Sequence, residues 1–255
     1  MQVPAILRVC LSRVLRQDSQ TGQIVKKQVM TDRISHTQSD TDARPRKRME
    51  REEREAHIVE EAIQFFAENG FEGKTRDLAE RIGITQPLLY RYFPSKESLI
   101  ERVYEEVYVS RWDSNWETMV VDRDRTLQDR LTQFYKEYAK AVYDYVWVRI
   151  FVFSGLRGMD INNRYLAHLR SRYLVPVCLE LRHAFALPDV SEVPLSEEEI
   201  EHVWSMHGMF FYRGIRHFVY GLPITEDIDS AIDNEIRTFL NGAEDTVRDI
   251  VGHQP

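Results

Sequence analysis

The chain has 255 residues, 43% of them hydrophobic, so it is long enough for a small domain followed by a larger portion with a core of its own. Its formal charge of −7 is unevenly spread: 10 basic against 4 acidic residues in 1–48, 7 against 11 in 49–97, and 17 against 26 in 98–255, which excludes a broad basic field as the basis of any contact with a polyanion. Two cysteines, Cys10 and Cys178, are too few for a disulfide framework or a cysteine metal site and suit a reducing cytoplasm, while the apolar run Val146 to Leu156 is broken by Arg149 and falls short of the roughly 18 residues a membrane helix needs.

Residues 1 to about 50 read as an appendage. Val3 to Leu15 mixes Ile6, Leu7, Val9 and Leu11 with Arg8, Arg13 and Arg16, without the clean apolar centre or small-residue cleavage site of a secretory signal; a short helix is the competing reading. Thr31 to Asp42 is dominated by Ser, Thr, Asp and Gln, a composition that does not bury a core. Met30, just upstream, is expected to be the natural start. Arg44, Arg46, Lys47 and Arg48 form a compact basic cluster, either an ordinary solvated charge run or an arm that grips phosphates or a minor groove. If it neutralises four phosphates, deleting residues 1–48 flattens the slope of log affinity against log salt by roughly 3 to 4 units.

The first regular element predicted is a helix over about Arg54 to Asn69, with Ile58, Val59, Ala62, Ile63 and Phe66 at three- and four-residue spacing and Asn69-Gly70 as its stop. A short helix follows from about Thr75 to Ile82, with Thr75 placed to cap it, Leu78, Ala79 and Ile82 on one apolar stripe, and Gly83 ending it. Thr85 then caps a second short helix that tolerates Pro87 in its first turn, where a missing N–H costs nothing. Leu89 and Phe93 point inward, leaving Gln86, Pro87, Tyr90 and Arg91 on an outward edge. Three helices sharing one small core in this order match a helix-turn-helix, whose second short element enters the major groove of duplex DNA. A small packing module with ordinary solvated Tyr and Arg is the plainer alternative.

From residue 98 onward the periodicity predicts helices throughout, and all four Trp lie in this portion. Ser98 to Met119 carries Leu99, Val103, Val107 and Trp112; Thr126 to Tyr145 carries Leu127, Leu131, Phe134, Tyr138 and Val142. Val146 to Leu156 follows, then Asn162 to Phe185, which Pro176 is expected to kink or break. Ser196 and the carboxylates of Glu197, Glu198 and Glu199 mark a fresh helix start that runs to about Tyr220, and Asp227 to Ile250 forms the last.

Phe66, Gly70-Phe71, Leu78-Ala79, Gly83, Leu89-Tyr90, Tyr92-Phe93 and Ser95-Lys96-Glu97 together resemble the amino-terminal domain of the TetR family of transcriptional regulators, over roughly residues 54 to 103. Two departures stand out: the stretch from Gly70 to Leu78 is one residue shorter than usual, with Lys74-Thr75 in place of a Thr-Thr pair, and Tyr92 replaces a frequent His. Composition sets off a flexible basic extension at 1–50, and the periodicity together with the resemblance implies an all-α protein with a three-helix DNA-binding domain at 51–97 and a helical ligand-binding and dimerisation domain at 98–255.

It further implies that Arg76, Gln86, Pro87 and Arg91 face bases and that Thr75, Thr85, Tyr90, Tyr92 and Lys96 hold phosphates. The chemistry agrees, because Gln pairs bidentately with adenine, Arg with guanine, and a Pro ring packs on a thymine methyl, whereas hydroxyls and an ammonium position without reading sequence. Lys96 also follows Ser95 into the first turn of the next helix, where the backbone N–H groups favour an anion. The resemblance places a small-molecule site in the carboxy-terminal half, where Trp112, Phe134, Tyr138 and Phe153 are candidate walls and Arg149, Arg157, Tyr173 and His207 candidate polar handles. For any single aromatic at helical spacing, core packing is the competing reading.

The resemblance also implies a homodimer paired through the last two long helices. Met206, Met209, Phe210, Gly214 and Phe218, then Ile228, Ile232, Ile236, Phe239 and Leu240, are the stripes, with Gly208 and Gly214 allowing close approach; internal packing is the alternative use. The expected function is that of a repressor released from an inverted-repeat operator by a small apolar or aromatic ligand. An architectural or cell-cycle DNA-binding protein of the same fold is the alternative. Catalysis, cofactors, metal and membrane are not expected: His202 and His207 are five apart rather than four, and no Gly-x-Ser-x-Gly turn occurs.

Overall fold

The computed structural model describes residues 50–253, and every regular element among them is helical. The appendage, Met30 and the basic cluster from Arg44 to Arg48 lie outside the described residues.

Helix α1 spans Arg51–Asn69, three residues longer at its start than the periodicity predicts. The reason is a reciprocal cap, in which the Glu50 N–H donates to the Glu53 carboxylate at 3.1 Å and the Glu50 side chain receives a backbone N–H in return. Its far end is closed by Gly70 at φ +67° and ψ −177°, whose N–H donates to the Phe66 carbonyl. Ile58, Val59, Ala62 and Phe66 form its buried face.

Helix α2 spans Thr75–Ile82 and ends at Gly83 in the left-handed conformation, as its sequence predicts. Its cap differs from expectation. Lys74 occupies the cap position and supplies no side-chain bond, while Thr75 is already the first helical residue, so its hydroxyl is committed elsewhere. Helix α3 spans Gln86–Tyr92; Thr85 Oγ1 accepts the Leu88 N–H at 3.3 Å and Pro87 sits in the first turn.

Helix α4, Lys96–Tyr104, opens on a reciprocal cap between Ser95 and Ser98 and widens into a π-helical turn over Glu105–Val109. The predicted single helix over 98–119 is therefore interrupted. Ser110 Oγ bonds back to the Glu106 carbonyl and Asp113 Oδ1 accepts the Asn115 N–H at 2.9 Å, so short polar side chains compete for the backbone and a new helix, α5, begins at Asn115–Val121.

Helices α6 (Leu127–Val142) and α7 (Tyr145–Leu156) start at Thr126 and Asp144, each accepting a backbone N–H from three residues on. Helix α8, Asp160–Leu169, passes through a second π-helical turn, Arg170–Leu174, into α9, Val175–Ala184. Pro176 lies in the first turn of α9, so the widened turn just before it accommodates the lost N–H without a full break. Helix α10, Glu197–Gly214, is capped reciprocally by Ser196 and Glu199, ends in a third π-helical turn at Ile215–Val219, and is followed by α11, Ile228–Gly252.

Aromatic stacking fills the interior: Tyr135 lies on Phe210 at 3.7 Å and Phe134 on Tyr173 at 3.6 Å between centroids. Two buried ion pairs, Arg182 with Glu199 at 2.6 Å and Arg130 with Glu180 at 2.7 Å, lie in the same portion, each charge tolerated because its partner is in place. Much of the stripe predicted for pairing is used inside the chain. Met206, Phe210, Gly214, Ile232 and Ile236 are buried, and a Cβ on Gly214 would stand 3.2 Å from Val148, whereas Gly208 and Met209 remain exposed. Among the described residues no helix is long and apolar enough to cross a membrane.

Candidate nucleic-acid interface

Leu89 and Phe93 anchor α3 in the core shared with α1 and α2. The opposite edge is open. Thr85, Pro87, Tyr90 and Arg91 are exposed, with Arg76 of α2 exposed beside them and Gln86 and Tyr92 half-buried. A short helix pinned by one apolar face thus presents a ring, a phenol and a guanidinium outward, with the half-buried Gln86 amide at the margin of the same edge, side-chain types that meet base edges and phosphates in a major groove.

Four of the predicted residues, Thr75, Gln86, Tyr90 and Lys96, make side-chain hydrogen bonds within the protein. Thr75 is buried, and its Oγ1 accepts the Gln86 Nε2 N–H at 2.9 Å while sharing a hydrogen bond with the Tyr90 hydroxyl at 3.0 Å. Lys96 Nζ donates to the carbonyls of Phe71 at 2.6 Å and Gly73 at 2.7 Å. An ammonium has three donors, so Lys96 fixes the turn between α1 and α2 with two of them and keeps one in reserve. The sequence pattern does not reveal this clamp, because the two carbonyls lie more than twenty residues away along the chain.

Residues 58–103 match the model of the bacterial regulatory proteins of the tetR family. The chain is also 29% identical over 85 residues to the tetracycline repressor protein class A from transposon 1721 of Escherichia coli. Residues 58–103 are therefore an amino-terminal domain of the TetR family type. The match to that repressor spans 30% of this chain and 39% of the repressor, so the two are aligned over about two fifths of the relative's length.

The fold is shared more widely within the TetR family. A regulator named PfmR from Thermus thermophilus is 20% identical with a TM-score of 0.52, over 72% of this chain and 97% of that one. A TetR-like transcriptional regulator from Rhodococcus sp. RHA1 is 15% identical with a TM-score of 0.52, over 77% of this chain and 98% of that one. At these identities the likeness concerns the fold alone.

Two aromatic-lined cavities open in the part of the chain that follows the helix-turn-helix. One, of about 260 Å³, lies between the π-helical turn after α4 and α8, lined by Tyr104, Tyr108, Trp112, Arg164, Tyr165 and His168. Arg164 stacks 3.9 Å over Tyr104 and pairs bidentately with Glu101 at 2.7 and 2.8 Å, which neutralises it and ties α4 to α8. The other, of about 200 Å³, lies between α7, α8 and α10, where Trp147, Phe151, Tyr165, Trp204, His207 and Phe211 make an almost wholly apolar wall. Tyr165 belongs to both.

Of the predicted ligand contacts, Trp112 lines the first cavity and His207 the second. Burial pushes the His207 pKa down to about 4, so a neutral imidazole faces the second cavity, its Nδ1 paired with the Tyr135 hydroxyl at 3.3 Å. Tyr138 reaches the shared wall at one remove, through a 2.7 Å hydrogen bond to the Tyr165 hydroxyl. Phe134 and Tyr173 are core, stacked on each other. Arg149 and Phe153 are not brought to either cavity. They face α1 from the other side of α7, where Arg149 Nε donates to the Ala67 carbonyl and Phe153 lies against Gly70; Arg157, a further four residues on, pairs with Glu72.

Sequence reasoning missed most of the lining residues, among them Tyr104, Tyr108 and Tyr165 around the first cavity and Trp147, Phe151, Trp204 and Phe211 around the second. Helix α7 is apolar on nearly every face, so periodicity cannot tell its cavity side from its packing side. Among the described residues no group of three or more His, Cys, Asp or Glu side chains is placed to hold a metal ion, and burial pushes the Cys178 thiol up to about 12, leaving it inert.

Proposed function

We propose that the chain is a ligand-responsive transcriptional regulator, a repressor that binds an inverted-repeat operator as a homodimer and leaves it when a small molecule enters the carboxy-terminal portion. The observation that carries this reading is the exposed edge of α3, where Pro87, Tyr90 and Arg91 stand out from a helix whose other face is buried in a TetR-family domain. Gln86, Arg91 and Arg76 are assigned to base edges, Pro87 to a thymine methyl, and Thr85, Tyr90, Tyr92 and the reserve donor of Lys96 to phosphates.

One such edge reads few bases. Two related by a twofold axis read half-sites about 34–36 Å apart or a multiple of that spacing. The exposed stripe of α10, including Ser205, Gly208, Met209 and Tyr212, is the surface assigned to pairing. The effector is assigned to the aromatic cavity around Trp147, Trp204 and His207, whose apolar wall and neutral imidazole favour an uncharged aromatic or apolar molecule with one hydrogen-bonding group. Tight binding alone does not switch the protein; the ligand must prefer the arrangement in which the two α3 edges are wrongly spaced for DNA.

The test is a selection from random duplexes with the purified full chain, followed by titration of the selected duplex with compounds that raise the melting temperature. An inverted repeat released by at least one such compound is the expected result. Selection of no sequence would contradict the DNA-reading role, and selection of a repeat that no thermally stabilising compound releases would contradict the ligand response.

A further inference from the structure

The hydrogen-bonded cluster between α2 and α3 gives Thr75 a different role from the phosphate contact its position suggests. The Thr75 hydroxyl has one proton and two lone pairs. It accepts the Gln86 Nε2 N–H at 2.9 Å and shares a single O–H with Tyr90 at 3.0 Å, and Thr75 itself is 9% exposed. Thr75 and Tyr90 together own two hydroxyl protons, of which one is consumed between them. One remains for a phosphate, and exposure decides which residue offers it: Tyr90 is 39% exposed.

The Gln86 amide has two N–H groups and one carbonyl oxygen. With one N–H held by Thr75, the second N–H and Oε1 stay available, the pair that adenine N7 and N6 require. A free Gln side chain must lose rotamer freedom to present that pair, whereas one tethered to a buried hydroxyl on the neighbouring helix has lost much of it before DNA arrives. The geometry points to Thr75 as a positioning residue for base reading: from inside the protein it holds the Gln86 amide in the orientation that discriminates one base pair. This assignment rests on the DNA-reading role proposed above.

Thr75→Val removes the hydroxyl at nearly constant volume. Binding of the full chain is measured against the selected duplex and against the duplexes that differ from it at single half-site positions, each over a range of salt. Thr75→Val is expected to lower the preference at one base position by about tenfold, the same position that Gln86→Ala flattens, since a bidentate contact supports discrimination of this order. The salt slope stays as in the wild type, Thr75→Ser restores the preference, and Thr75→Val added to Gln86→Ala lowers it no further. Uniform weakening on all duplexes with preference intact would overturn the assignment and return Thr75 to a phosphate contact.

Tyr90→Phe leaves the Thr75–Gln86 bond standing, so it should weaken all duplexes alike and keep the preference. It carries the test if Thr75→Val does not fold, and loss of the base preference in this variant would also overturn the assignment. A wild-type chain that selects no sequence removes both the DNA-reading role and the assignment. A selecting wild type with an unaltered Thr75→Val removes only the latter.

Discussion

Arg149 Nε donates to the Ala67 carbonyl at 2.7 Å, joining the middle of α7 to the last turn of α1. The carbonyls there lack intrahelical partners and carry the negative end of the helix dipole, so a guanidinium is well matched to them. Phe153, four residues on, rests against Gly70 in the same joint. Trp147 and Phe151 of the same helix line the aromatic cavity. One helix therefore touches both the aromatic cavity and the first helix of the helix-turn-helix domain.

This joint predicts a separation of binding from response. Arg149→Ala should leave effector affinity within about twofold while reducing the effector's power to release DNA by at least about fivefold, the lower end of ordinary coupling energies. Arg149→Lys should not restore it, because an ammonium cannot reproduce the flat guanidinium packed between the Tyr145 and Phe153 rings. Titrating the DNA complex with effector for each variant checks both statements; full release by Arg149→Ala would contradict the joint.

Gly70→Ala should destabilise the chain. At φ +67° and ψ −177° the backbone occupies a region that is essentially reserved for glycine, and a Cβ would stand 3.1 Å from the Phe153 ring. A loss of about 1–3 kcal/mol is expected from the backbone alone, read as a lower urea midpoint at unchanged slope.

Acid should unfold the protein earlier than its carboxylates require. His207 has its pKa lowered by burial from 6.5 to about 4, so between those values the unfolded chain binds a proton that the folded chain refuses. Stability from this residue is complete above pH 6.5 and is lost as pH falls toward 4, by an upper limit of roughly 3 kcal/mol. Burial also lowers His168 and His202, which add to the loss in the same direction. Glu180 and Glu199 are held below the usual carboxylate range against the cost of burial by their arginine partners, so their contribution disappears only at lower pH. His207→Asn should flatten most of the decline between pH 6.5 and 4 in denaturant titrations; an unchanged slope would contradict a neutral buried imidazole.

The exposed α10 stripe predicts that Tyr212→Glu dissociates the chain. Tyr212 is 55% exposed and Met209 36% exposed three positions apart on the same helical face, beside the exposed Gly208 that lets a second helix approach. Light scattering during size-exclusion chromatography should report a dimer for the wild type and a monomer for Tyr212→Glu, and DNA affinity should fall with the loss of the second half-site.

Local signals are legible in the sequence wherever the partner lies within a turn. Gly83 and the Thr85 cap bound α2 and α3, and Ser196 with its following glutamates marks the start of α10. Thr75 reads as a cap in the sequence because the residue that makes its hydroxyl busy, Gln86, is eleven positions away on another helix. The interruption after Val109 does carry a signal, Ser110 and Asp113-Ser114-Asn115, which the continuing apolar spacing through Trp112 conceals. Arg149 reads as a ligand contact for the same reason that α7 is hard to orient: a helix buried on several sides offers no single face from which to infer what each side chain meets.

The exposed edge of α3 is tested most directly by equilibrium anisotropy at near-physiological salt, comparing the selected inverted repeat with a scrambled duplex of the same composition. A base-reading edge predicts affinities that differ by at least about a thousandfold, the lower end of the range for specific recognition over non-specific binding. Equal affinities for the two duplexes, falling together as salt rises, would mean that α3 meets only phosphates or no DNA at all.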